Sequence, residues 1–388
     1  MKNQMFINKD IKIYIDHKED KMVHIIIRNQ KSSKSVSELA EMMYQEVRNI
    51  ISRQELVIFH ERVFASNACY EEIEKARSSI LGLNMDDACF SCLDGSPQWG
   101  QGISGINICA VKKSAGTMKD VIVNEKVRGH IWETSAADYF ILHSAHGKAS
   151  DGYFDQAYQM FGESIEVLEK YGFCLKQVIR TWIYLDKILT QYDEFNKART
   201  KVFLEQHLWD EASQDEAEDI YMPASTGIGC GNPYGYAGVT DVLAIKVKNG
   251  EQVTIQCETG DKQRSAYRYG SAFSRAMLVK NEDEEFVYLS GTASIDESGA
   301  TVYLDDIKAQ IEKTNQVIMA ILEKYDMDMD SLCEGTVFIK KPEFIEEYNQ
   351  FIEKMKYDLP VNVTVTDVCR DNLLFEMDAT FRKKRTKA

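Results

Sequence analysis

The chain has 388 residues, 44% hydrophobic and 28% charged, which is enough for two or three domains of ordinary composition. Its 46 basic and 61 acidic residues give a net charge of −15, which argues against nucleic acid or an anionic membrane as partner, because phosphates need a basic surface. Five prolines, 22 glycines and no apolar run near the ~20 residues of a membrane span exclude collagen-like, low-complexity and transmembrane chains.

The N-terminal MKNQMFINKDIKIYIDHKEDK is charged throughout and reads as no secretory signal. With nine cysteines and no such signal, a reduced, cytoplasmic location is expected. Next, MVHIIIRNQ (22–30) reads as strand, VSELAEMMYQEVRNIIS (36–52) as helix, ELVIFHERVFAS (55–66) as strand, YEEIEKARSSIL (70–81) as helix and GINICAVK (105–112) as strand.

A second series follows. DYFILHSAHG (138–147) is strand-like, and FDQAYQMFGESIEVLEKYG spaces its apolar residues as a helix does, with Gly172 as C-cap. VIRTWIYL (178–185) is a strand, YDEFNKARTKVFLEQ a helix, and Pro223 opens two more apolar runs. The acidic loop WDEASQDEAEDIY (209–221) reads as solvated.

VTIQCE (253–258) alternates as a strand, and QRSAYRYGSAFSRA (263–276) is rich in Arg and Tyr. The series then returns: EFVYLSGTAS (285–294), LDDIKAQIEKTNQVIMAILEKYD, GTVFIK (335–340), PEFIEEYNQFIEKMK, and Pro360 before two further runs. Both long helices end in LEKY, at Leu168–Tyr171 and Leu322–Tyr325. The order β-α-β-α-β-β therefore occurs twice, with a shorter third copy upstream. The expected units are 1–125, a degenerate repeat; 126–250, a second repeat; 251–285, an Arg/Tyr-rich connector; and 286–388, the C-terminal repeat.

Arg180, Trp182 and Tyr184 share one face of an apolar strand. An Arg there needs an anion, either a ligand carboxylate or an internal partner. Tyr267, Arg268, Tyr269 and Arg275 would either line a site for an anionic ring or form a solvent-facing connector. Glu376 and Asp378 alternate with Phe375 and Met377 on the last strand. A carboxyl group in a partly apolar site can hold its proton and act as a general acid; the alternative is a solvated edge. Cys89-Phe-Ser-Cys92 has no second pair, and His143 and His146 have no third ligand at zinc spacing, so no metal site is expected. The chain shows no P-loop, no GxGxxG after a strand and no GxSxG elbow.

The repeated unit and its terminal Phe375-Glu376-Met377-Asp378-Ala379 resemble the RidA/YjgF family, which builds trimers with ligand clefts between subunits. Three tandem copies would resemble one such trimer made from one chain, an α+β pseudo-trimer expected to be a monomer. RTWIYLD (180–186), PASTGIG (223–229), QRSAYRY (263–269), FSRA (273–276), YLSGTAS (288–294) and CRDNLLFEMDA (369–379) together are similar to the chorismatases, which carry RidA-like domains.

The resemblance implies hydrolysis of chorismate to pyruvate and a hydroxybenzoate or dihydroxycyclohexadiene carboxylate, with no cofactor and no metal. It implies Glu376 as the catalytic acid, and Arg180, Tyr184, Tyr267, Arg268, Tyr269 and Arg275 around an anionic substrate. Cys369 occupies the place of a cysteine found in members that form 3-hydroxybenzoate. Two departures stand out. The loop after SAYRY is shorter than in the family. The Arg that RidA imine deaminases carry two residues after the strand-opening proline is absent at Pro97, Pro223 and Pro360, which counts against an enamine or imine hydrolase. A non-catalytic aromatic-acid binding protein would keep the same Arg and Tyr residues. Since only the third copy keeps a glutamate in its last strand, one active site per chain is expected.

Overall fold

The apolar runs form strands and the amphipathic segments form helices, three times over. The structure is a computed structural model that describes residues 4–16, 20–83, 89–97, 99–100, 102–208, 221–248, 250, 252–258 and 272–385. Unit one comprises β1 (Gln4–Ile7), β2 (Ile11–Ile15), β3 (Met22–Asn29), α1 (Val36–Arg53), β4 (Leu56–Ala65), α2 (Tyr70–Leu81), β5 (Ser91–Asp94) and β6 (Ile103–Lys112). Unit two comprises β7 (Thr117–Val123), β8 (Lys126–Glu133), β9 (Ala137–His146), α3 (Tyr153–Lys170), β10 (Val178–Leu185), α4 (Ile188–Glu205), β11 (Ala224–Gly229) and β12 (Gly238–Val247). Unit three comprises β13 (Thr254–Glu258), β14 (Ala276–Lys280), β15 (Glu284–Ala293), α5 (Ile307–Leu322), β16 (Leu332–Ile339), α6 (Ile345–Met355), β17 (Val361–Val365), β18 (Asp367–Val368) and β19 (Phe375–Lys384).

Each unit forms one sheet, in the orders β1-β2-β3-β6-β4-β5, β11-β10-β12-β9-β8-β7 and β13-β14-β15-β19-β16-β17. Two helices cover one face of each sheet, burying Met43 and Val47 in unit one, Met160 and Phe195 in unit two, and Ile311 and Ile318 in unit three. The bare faces turn toward each other and share a further core that includes Phe64, Tyr184 and Phe338. Strands β10 and β16 are buried along their whole length, which is why they read as near-continuous apolar runs.

The sequence pattern missed the opening hairpins of the first two sheets, while VTIQCE (253–258), read as a strand, is β13 of the third. In unit one, Ile11, Ile13 and Ile15 are buried, but they sit in a charged stretch whose alternation is too short to stand out. The second sheet starts at Thr117, ahead of the boundary at 125, and the flanks of the 251–285 connector are β13 and β14 of the third sheet. Residues 263–271 of the Arg/Tyr-rich segment and 209–220 of the acidic loop lie outside the described residues.

Local chemistry sets the helix ends. Ser35 and Glu38 form a reciprocal capping box on α1, and Asp306 caps α5. After the two LEKY strings the chain must turn left-handed. Gly172 does so at φ 77° and Asp326 at φ 50°, Gly being the residue with least penalty and Asp one of the few others that visit the region. Among the described residues no helix is long and apolar enough to cross a membrane.

Candidate active site

The register of the sheets shows how three different sequences build one pseudo-three-fold centre. Arg62 pairs with Asn107, Trp182 with Asp241 and Thr336 with Asp378, so these are equivalent positions. Two residues earlier stand His60, Arg180 and Glu334. Each of these reaches the last strand of the next unit. His60 Nε2 lies 2.9 Å from Asp241 Oδ2, and Arg180 Nη2 donates to Asp378 Oδ2 at 3.2 Å. Glu334 Oε2 accepts from Arg62 Nη2 at 3.1 Å and more distantly from Asn107 Nδ2 at 3.5 Å. Polarity reverses at the third interface, but donor meets acceptor at all three.

Arg62 touches all three units. It pairs with Glu334 and, at 3.6 Å, with Asp378 of unit three. It donates to the Tyr184 hydroxyl at 3.4 Å and lies 4.9 Å from the Trp182 ring of unit two. Burial pushes the Glu334 carboxyl up, but Arg62, His24, His60 and the Asn107 hydrogen bond together outweigh it and hold the group down at about 2.

One interface differs from the others. Glu376 of β19 faces β11 of unit two across the boundary, and the equivalent positions in β12 and β6 are Val239 and Gly105. The Glu376 side chain is buried, with Gly291 of β15 and Thr226 of β11 beside it. A Cβ on Gly291 would overlap Glu376 Oε1, so only glycine leaves room for the carboxyl there. Ser225 N donates to Ser290 Oγ at 2.8 Å and fixes β11 against β15.

Burial raises the Glu376 carboxyl to about 8, and Asp378 adds to the rise. Arg180, Arg275 and Arg370 oppose it. The result is a carboxylic acid that keeps its proton at neutral pH, with three guanidinium groups near enough for their charge to act on it. Arg370 is anchored on the Gly299 carbonyl at 2.8 Å. Arg275 is buried, and its backbone ties Glu258 to Ser290.

Cys369 follows directly on β18, which leaves its own unit and pairs with β11 of unit two. The cysteine is half-buried there. Burial and the nearby Glu376 push its thiol up to about 12, so it is a neutral group at ordinary pH and no activated thiolate. Tyr192 of α4, whose hydroxyl is raised by burial and then by Cys369 and Glu376, completes this wall.

The residues singled out from sequence thus separate into three groups. Glu376, Cys369, Arg180 and Arg275 converge. Arg180 has an internal partner, the ion pair with Asp378, and its charge also acts on Glu376. Tyr184 is fully buried and serves Arg62 on the axis. Tyr267, Arg268 and Tyr269 lie outside the described residues. The sequence pattern did not single out Arg370, Tyr192, Thr226 or Gly291; Arg370, Thr226 and Gly291 lie inside the CRDNLLFEMDA, PASTGIG and YLSGTAS strings, which was the available signal.

Two buried clusters carry metal-type donors within 4.8 Å of one another, His60 with His143 and Asp241, and Asp16 with His24 and Cys333. Asp241 already accepts from Ser91 Oγ at 2.6 Å and Ser144 N at 2.8 Å, and Asp16 holds both its oxygens on Arg382. These are interface ties between units. The His143 and His146 pair is split, for His143 is buried beside Ser91 while His146 stacks on Tyr236 at 3.7 Å.

The endoribonuclease L-PSP family model matches residues 266–381. A crystal structure of a chorismatase is 16% identical, covers 84% of this chain and 92% of its own, and superposes with a TM-score of 0.57. Single-unit structures also match: protein YJGH is 19% identical over 34% of this chain and 96% of its own, with a TM-score of 0.28, and yeast Mmf1 is 19% identical over 33% and 98%, also with a TM-score of 0.28. No curated protein matches the sequence. The chain has the chorismatase-like fold, three RidA-like units in one polypeptide, the third of which matches the L-PSP family.

Proposed function

We propose that the chain cleaves the enolpyruvyl ether of chorismate, releasing pyruvate and either a hydroxybenzoate or a dihydroxycyclohexadiene carboxylate. The observation that carries the reading is a carboxyl group held near 8 by burial at the interface of units two and three, with the charges of three arginines acting on it. An enol ether becomes electrophilic when its methylene carbon takes a proton, and Glu376 is the group that gives it. The resulting cation at the ether carbon is attacked by water, and the carbon–oxygen bond to the ring then breaks. Hydrolysis consumes one water and yields pyruvate and the diene acid. The hydroxybenzoate route has no net water, since pyruvate and hydroxybenzoate together hold all the atoms of chorismate.

Chorismate carries two carboxylates, and guanidinium groups bind carboxylates in pairs of parallel hydrogen bonds. Arg275 and Arg370 supply them in this reading, with Arg268, Tyr267 and Tyr269 from the adjoining segment. Arg180 and Tyr184 act from behind, fixing Asp378 and Arg62. Cys369 flanks the ring as a neutral thiol. The fold shared with a chorismatase supports the same substrate. The three interfaces close on themselves, which supports a monomer.

Chromatography of the products from purified protein and chorismate tests the reading and separates its branches. Reaction in D₂O adds a second readout: the methyl group of pyruvate gains one deuterium. Loss of chorismate without pyruvate would sink the proposal.

Two further outcomes follow from the geometry. Glu376 must be protonated to act, so kcat/KM is flat from about pH 6 to 7 and falls tenfold per unit above about 8. A profile that rises through pH 8 contradicts the acid role. Gly291→Ala pushes the new methyl into the Glu376 carboxyl and lowers kcat by roughly 100-fold, the order expected of a 1 Å misplacement. Unchanged kcat in a folded variant would show that the carboxyl is not held as described.

A further inference from the structure

The pseudo-three-fold arrangement makes three interfaces between units, and only one has a glutamate at the Glu376 position. Its counterpart between units one and three sets β3 and β6 against β17 and α6. There Gly105 stands at the position of Glu376, and Asn362 at that of Thr226. The Asn362 amide bonds to Asn107 across the interface, and a Cβ on Gly105 would overlap it. No acid can be accommodated, so this interface has no general acid of the Glu376 kind.

Beside these residues the same interface holds an open cleft, a cavity of about 330 Å³ lined by Ser104, Val361 and Val363 and by neither Gly105 nor Asn362, in the range of small-molecule sites. Aromatic walls come from Trp99, Tyr348 and Tyr357, with Asn349 at the rim. Two cations face it, Lys12 and Arg28, and one anion, Asp358. Asp358 is already taken: Lys12 Nζ and Tyr14 Oη each donate to its Oδ1 at 2.6 Å. Arg28 has a single acceptor among the described residues, the Val361 carbonyl at 3.5 Å, and its buried Nε–H has none. Its charge bears on Asp358 and lies 5.4 Å from the Tyr14 ring, yet among the described residues no carboxylate is hydrogen-bonded to this half-buried guanidinium, which leaves an unfilled demand.

We propose that this cleft is a second, non-catalytic site that binds a small aromatic carboxylate, with the carboxylate on Arg28 and the ring against Trp99. The chemistry follows from the parts: a planar guanidinium matches a carboxylate, and flat apolar walls of this size match one ring. The inference stands on the residues of this cleft and is independent of the reaction at Glu376.

The experiment titrates the full chain with benzoate, following Trp99 emission, with Trp99→Phe as the blank. Saturable binding is expected, retained in Glu376→Gln. It should weaken at least about tenfold in Arg28→Met, which removes the charge-assisted pair, and in Asn349→Phe, an exposed rim position where the fold is not at stake. Uncharged benzamide should bind at least about tenfold more weakly than benzoate. Three results overturn the proposal: no saturable response, binding unchanged in both variants, or benzamide binding as tightly as benzoate.

Discussion

Glu376→Gln is expected to lower pyruvate release from chorismate by roughly 100- to 10,000-fold, the usual worth of a positioned general acid. Glutamine fills nearly the same volume and keeps a polar terminus beside Gly291 and Thr226, so the fold and the affinity for substrate should survive. The loss should therefore fall on kcat with little change in KM, the pattern of an interaction made only in the transition state. The falling limb of the pH profile near 8 should vanish with it. A variant that keeps full rate would mean that another group delivers the proton.

Arg62→Met is expected to destabilise the chain by about 3–5 kcal/mol, because it leaves the buried Glu334 carboxylate without its cation. Arg62 is fully buried and joins Glu334 and Asp378 to Tyr184 and Trp182, so the three units lose a shared contact at once. Asp378 would keep Arg180, while Glu334 would keep the weaker donor Asn107. Adding Glu334→Met to the same chain should recover a substantial part, since removing both members of a buried pair can be close to neutral. Denaturant unfolding of the two variants reads this directly. Wild-type stability in the single variant would show that the centre is not held by charge.

The sequence carried some of this and hid the rest for physical reasons. Repeats, helix spans and fully apolar strands were legible because periodicity and burial act locally: α1 was expected at 36–52 and is observed at Val36–Arg53. Glu376 was legible because a carboxylate on a core-facing strand is anomalous. The ties His60 to Asp241, Arg180 to Asp378 and Arg62 to Glu334 were not, since they span 181, 198 and 272 residues, and each looks alone like any buried polar residue. Arg180 showed this directly: its face on the strand was readable, its partner was not. Gly291 and Thr226 stood inside the family-like strings, but their role is space and contact across an interface, which no local pattern records. The opening hairpins of the first two sheets were missed because short, charged alternation is weak evidence for strand.

Purified wild-type chain incubated with chorismate, with pyruvate followed by coupling to lactate dehydrogenase, tests the central claim most directly. The account predicts one pyruvate per chorismate consumed, at a rate that the Glu376→Gln variant lacks. Saturable chorismate binding with no pyruvate over hours would contradict it, and would make the Glu376 cleft a binding site rather than a catalytic one.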